Sequence, residues 1–171
     1  MKKKNHIRQI HQKKNGQVSK TILILGIGNL LMGDEGFGVH LANELSKKSL
    51  PDTVEVLDGG TGGFHLLEFF ESHDRVIIVD ATLDDKPPGT IRILKPRFAQ
   101  DFPQSMSTHD IGMRDLVNSL QLLGKMPEID LIVVSISSIQ QQGIYLSNDI
   151  AESLPKVINE IQKMLFVNTP V

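Results

Sequence analysis

The stretch Ile22 to Gly38, ILILGIGNLLMGDEGFG, constrains this chain more than any other. Its first half is a short apolar run without polar alternation, the pattern of a strand buried on both faces. Its second half holds glycines at 26, 28, 33, 36 and 38, with Asp34 and Glu35 among them. Glycine adopts backbone angles closed to other residues and lets other groups come close to the main chain. A buried strand that opens into such a loop, with two carboxylates in it, is a place to build a site for a nucleotide, a metal or a peptide.

The same grammar recurs downstream. Val54 to Leu57, Val76 to Val79 and Leu131 to Ile136 read as further apolar strands. Phe37 to Leu45, Phe64 to Phe70 and Ile111 to Leu123 carry apolar residues at helical spacing, and Gly124 stops the last of these. Asn148 to Phe166 reads as a closing amphipathic helix with Pro155 near a break. Thr90 to Leu94 alternates polar and apolar and follows Asp80 after only about ten residues. That is too few for a parallel crossover, so this strand is expected to run antiparallel or to lie at the sheet edge. Residues 95–109 hold Pro96 and Pro103 and no periodicity, which marks a functional or mobile loop. Strands alternating with helices predict one three-layer α/β domain with a twisted, mostly parallel five-stranded sheet flanked by helices.

Charge is unevenly spread along the chain. Residues 1–20 hold seven of the 18 basic residues and no acid, leaving 11 basic against 20 acidic residues in the remainder, near −9. The expectation is a basic, solvated and disordered tail over residues 1–20 and a single domain over 21–171. An acidic body argues against nucleic acid as the ligand. No apolar run reaches the roughly 18 residues of a membrane span. The basic N-terminus is not followed by a signal-peptide segment, so a cytoplasmic protein is expected. With no cysteine, disulfides, thiolate metal sites and a cysteine nucleophile are excluded.

In open α/β sheets, ligands bind beyond the carboxyl ends of the strands. Strand one leads to Asp34 and Glu35, strand two ends at Asp58, and strand three is expected to end at Asp80. His109 precedes the helix that follows strand four and can reach the same edge. Carboxylates converging on a histidine suit a divalent transition ion such as nickel or zinc. Each residue has a plainer use: Asp34 or His109 at a helix end, Asp58 in turn chemistry. Asp80, at the end of a buried strand, needs a partner for its charge. His40 and His65 lie within helices and His73 in a turn, HExxH and GxSxG are absent, and none of these suggests a second site. A dinucleotide site competes through Gly26 and Gly28, but Leu31 stands where the third glycine of GxGxxG belongs, and the following acids would repel phosphate.

The motifs GIGNLLMGDEGFGVH, LDGGTGGFHLL, IIVDAT and STHDIGMRDLV, in this order and spacing, resemble those of the nickel-iron hydrogenase maturation endopeptidases over about residues 21–165. The resemblance implies a five-stranded α/β fold and removal of a C-terminal extension from the hydrogenase large-subunit precursor after nickel insertion. Matched residue by residue, Glu35, Asp80 and His109 stand where the family has metal ligands, and Asp58 matches the acid of its DGG motif. The implied partner is the nickel-loaded precursor, which supplies the nickel. Asp58, Glu35 and Asp80 are the catalytic candidates, acting through a water activated by metal or by carboxylate, as a metal-dependent or aspartic-type peptidase. The protein is expected to act as a monomer, and its glycines to let a large peptide substrate approach. The chain departs from the family pattern after strand five, where SISSIQQQGIYLS places Ser137 and Ser138 in the position of a proline and a glutamate. Two other readings remain beside this one: a non-catalytic metal- or nucleotide-binding module of the same fold, and a Rossmann-type dinucleotide enzyme.

Overall fold

A computed structural model describes residues 20–102, 110–138 and 142–166. His109 and all of the basic tail except Lys20 lie outside these residues. Five strands form one sheet: β1 (Ile22–Gly26), β2 (Val54–Asp58), β3 (Arg75–Leu83), β4 (Ile91–Leu94) and β5 (Glu128–Ile136). Their spatial order is β2-β1-β3-β5-β4. All neighbours pair in parallel except β4, which lies antiparallel to β5 at one edge. The short connection to β4 explains this placement. It cannot cross the sheet, so β4 runs back along the outside of β5 rather than beside β3.

Helices α1 (Phe37–Leu45), α2 (Leu67–Ser72), α3 (Asp110–Leu122), α4 (Asn148–Ala151) and α5 (Ser153–Phe166) complete three layers. Alternate residues along each strand point to opposite faces, and both faces are covered. Leu23, Leu25, Val76, Ile78, Leu131 and Val133 pack with Phe70 of α2 and with Met113, Leu116, Val117 and Leu120 of α3. On the other face, Ile24, Ile77, Val79, Ile132 and Val134 pack with Phe37, Leu41 and Leu45 of α1 and with Val157 and Ile161 of α5. Double burial is why these strands read as unbroken apolar runs.

One boundary differs from the sequence reading, and the break expected near Pro155 is present. Strand β3 does not end at Asp80 but continues to Leu83. Its neighbour β5 extends far enough to pair Leu83 with Ile136, whereas β1 stops where Gly26 meets Val79. Asp80 therefore lies inside a strand on one side and just past the end of a strand on the other. The closing helix is broken at Glu152 into α4 and α5, and Pro155 falls in the first turn of α5, where a missing N–H costs no helical hydrogen bond. Part of the loop 95–109 is ordered as a 3-10 turn, Ala99–Asp101, with the Asp101 carboxylate accepting from the Arg97 and Phe98 amides.

Candidate active site at the carboxyl rim of the sheet

The carboxyl ends of β1, β2 and β3 come together in register, with Gly26 beside both Asp58 and Val79. Main-chain hydrogen bonds continue past the strands and join the loops. Ile27 N–H donates to the Val79 carbonyl (2.8 Å), Gly59 N–H to Gly26 (2.9 Å) and Gly28 N–H to Gly60 (2.8 Å). The loop after β2 also meets the first turn of α3, where Gly112 lies against the backbone of Gly63. Four segments predicted to supply the site thus share one rim: the loop after β1, the loop after β2, the end of β3 and the start of α3.

Gly26, Gly28, Gly36 and Gly38 of the opening stretch lie against backbone and serve packing, whereas the space beside Gly60 is open. A Cβ on Gly26 would lie 2.0 Å from the Gly38 carbonyl, and one on Gly38 would lie 2.2 Å from the Val79 carbonyl. Both contacts are backbone against backbone and leave no room for a methyl group. They seat the first turn of α1 directly on the ends of β1 and β3.

Asp34 and Glu35 lie in a 3-10 turn, Gly33–Gly36, that runs into α1, rather than in an open loop. Asp34 makes no helix cap. Its carboxylate accepts from the Ser147 amide (2.7 Å) and the Ser147 hydroxyl (2.8 Å), at the head of α4. A parallel bridge between Met32 and Gly143 runs beside this tie. Ser147 is the residue that sequence reasoning missed. Its place before Asn148 signals a helix start, but nothing local couples it to a carboxylate 113 positions away.

Glu35 is 3% exposed, and among the described residues no hydrogen bond or ion pair reaches its carboxylate. Asp80 is also buried and accepts from the Ala81 amide at 2.7 Å. It continues the row of Val76 and Ile78, the face that α3 covers. Asp58 is exposed, and its Oδ1 accepts from the Gly60 amide at 2.9 Å, so its turn chemistry is real. That bond leaves Oδ2 for another partner. Glu35, Asp58 and Asp80 therefore share the rim. The fourth predicted residue, His109, is outside the described residues, immediately before α3.

A phosphate cradle is not formed here. The amides of Ile27, Gly28 and Asn29 all donate within the protein, and those of Leu31, Met32 and Gly33 do the same. A pyrophosphate would need such donors unspent. A hollow of about 370 Å³ lies elsewhere, between Phe98 and Gln100 on one side and Arg114, Asn118 and Gln121 of α3 on the other. It holds none of the candidate residues.

A family model described as hydrogenase maturation protease matches residues 39–164. The hydrogenase expression/formation protein HupD of Rhizobium leguminosarum bv. viciae is 34% identical over 84% of this chain and 73% of its own length. The hydrogenase 2 maturation protease of Escherichia coli is 40% identical over 63% of this chain and 67% of its own. The solved structure of the hydrogenase maturating endopeptidase HybD from E. coli superposes with a TM-score of 0.71 at 33% identity, covering 84% of this chain and 93% of that one. The HupD proteins of Bradyrhizobium diazoefficiens and Rhodobacter capsulatus are matched over only 57% and 52% of their own length. The chain belongs to the hydrogenase maturation protease family, and its five-stranded sheet is the fold of those peptidases.

Proposed function

We propose that this protein is the endopeptidase that removes the C-terminal extension of a nickel-iron hydrogenase large-subunit precursor after nickel insertion, acting as a cytoplasmic monomer. The observation that carries the reading is that the turn after β1, the end of β2 and strand β3 bring Glu35, Asp58 and Asp80 to one rim of the sheet, in a chain of this family. No helix among the described residues is long and apolar enough to cross a membrane, in keeping with a substrate met in water.

Glu35, Asp80 and His109 form the set that reads the precursor's nickel. Two carboxylates and an imidazole nitrogen suit a divalent transition ion. The carboxylate of Glu35, a largely buried residue without a side-chain partner among the described residues, is the feature that such an ion satisfies. Topology supports the third member, since α3 covers the face on which Asp80 lies and begins one residue after His109. Nickel bound in the precursor supplies positive charge at this rim and marks the substrate as ready.

Asp58 is the general base in this proposal. It sits in water at the end of β2 with Oδ1 held by Gly60, a geometry that orients Oδ2 to take a proton from the attacking water. The peptide C–N bond breaks as the water oxygen bonds to the carbonyl carbon, and the proton held on Asp58 passes to the departing amine. The test is the mass of the purified precursor before and after incubation, with and without nickel. Loss of the extension only from the nickel-loaded form supports the proposal. Normal processing by Glu35→Gln or His109→Ala overturns the residue assignment.

A further inference from the structure

The rim that holds the carboxylates also holds large apolar side chains in solvent. Leu31 is 63% exposed and Tyr145 80%, with Leu30 and Ile144 beside them in sequence, also exposed. Free termini and slack loops often expose such groups, but these two loops are fastened to each other. Gly143 N–H donates to the Leu31 carbonyl (2.8 Å), and Gly33 N–H donates to the Gly143 carbonyl (2.6 Å). Two residues beyond Tyr145, Ser147 binds Asp34 through both its amide and its hydroxyl. The apolar side chains therefore stand on a braced ledge whose other end is the turn that carries Glu35.

The ledge has a sign as well as a texture. No lysine or arginine occurs between Gly26 and Ser46 or between Gln142 and Pro155 in the region that builds it. Apolar surface beside carboxylates and away from cations favours an apolar segment without acidic residues. The ledge is also continuous with the catalytic rim, because Leu31 precedes Glu35 by four residues.

We propose that Leu30, Leu31, Ile144 and Tyr145 form a docking ledge for the substrate protein, seating an apolar, acid-free segment of the precursor beside the scissile bond. This inference rests on the endopeptidase reading for the identity of its occupant. It assigns affinity to the ledge and chemistry to the carboxylates, so the two separate in kinetics.

The experiment uses the full chain and the purified nickel-loaded precursor, measuring initial processing rates against precursor concentration and equilibrium binding alongside. Leu31→Asp and Tyr145→Asp each raise KM and the dissociation constant about tenfold or more, with kcat within about twofold and the melting temperature unchanged. Tyr145→Ser, which removes apolar surface without adding charge, gives a smaller rise in the same direction. Leu122→Asp is the control, since Leu122 is 89% exposed at the far end of α3, by the opposite rim. It leaves both constants unchanged. Wild-type KM in both rim variants overturns the ledge, and so does an equal loss in the Leu122 variant. Concentration-dependent self-association abolished by the rim substitutions, with KM unaltered, assigns the surface to a second copy of this chain and likewise overturns it. Wild-type protein that binds precursor but releases no peptide refutes the endopeptidase reading and leaves the ledge standing. Protein that neither binds nor cleaves refutes both.

Discussion

Two buried residues at opposite rims of the sheet, Asp130 and Glu35, hold their carboxylates in opposite ways. At the amino rim, Asp130 is fully buried and is met by Arg75 Nε at 2.7 Å and Nη2 at 2.5 Å. Lys95 approaches its other oxygen at 3.5 Å, and nearby Glu128 pairs with Lys20 at 3.4 Å. Asp74, at the same rim, is held by the Thr21 amide and hydroxyl instead. At the carboxyl rim, Ser147 donates to Asp34, the Gly60 amide to Asp58 and the Ala81 amide to Asp80. The nearby cation on β4, Arg92, is paired with Asp84. Asp130 is charge that holds the fold, whereas Glu35, without a partner among the described residues, is in the proposed function the charge that meets the precursor's nickel.

Removing the arginine side chain tests the structural rim most severely. Arg75→Ala leaves Asp130 buried without its main partner and should destabilise the protein by about 3–5 kcal/mol, lowering the melting temperature by about 10 °C. The surviving folded fraction should process precursor normally. A loss below about 1 kcal/mol in a urea titration would break the contrast. On the other rim, Glu35→Gln should lower processing about a hundredfold or more with the melting temperature nearly unchanged. If that variant instead melts early, Glu35 belongs with Asp130 as a structural acid.

Asp34 sharpens the comparison because it stands between the two roles. Asp34→Ala removes two hydrogen bonds at a buried position and should cost about 1–3 kcal/mol, with Ser147→Ala costing less. Both should also reduce processing, since the tie braces the turn that carries Glu35. The smallest effect is expected at Lys47, whose ammonium hydrogen-bonds Glu44 and holds that carboxyl below its usual range. A depressed carboxyl stabilises the fold above its ordinary range and loses that effect as pH falls through the lowered value. The pair is on the surface, so Lys47→Ala should leave the melting temperature unchanged at neutral pH.

Much of this architecture is legible in local pattern. The span of α1 coincides with the helix read from Phe37 to Leu45, and the edge position of β4 follows from the length of its connection. The extension of β3 past Asp80 is not legible, because a carboxylate inside a doubly covered strand looks like a strand end. Only the length of β5 alongside decides it. The acids of the rim are legible because each follows an apolar run. Their restraints are not. The Asp34–Ser147 tie and the Gly38–Val79 contact join segments far apart in sequence, and neither leaves a periodic trace.

The clamp between Gly33 and Gly143 has a mechanical consequence. Together with the Asp34–Ser147 bonds it ties the turn that holds Glu35 to the segment leading into α4, so a substitution that loosens either end should be felt at the other.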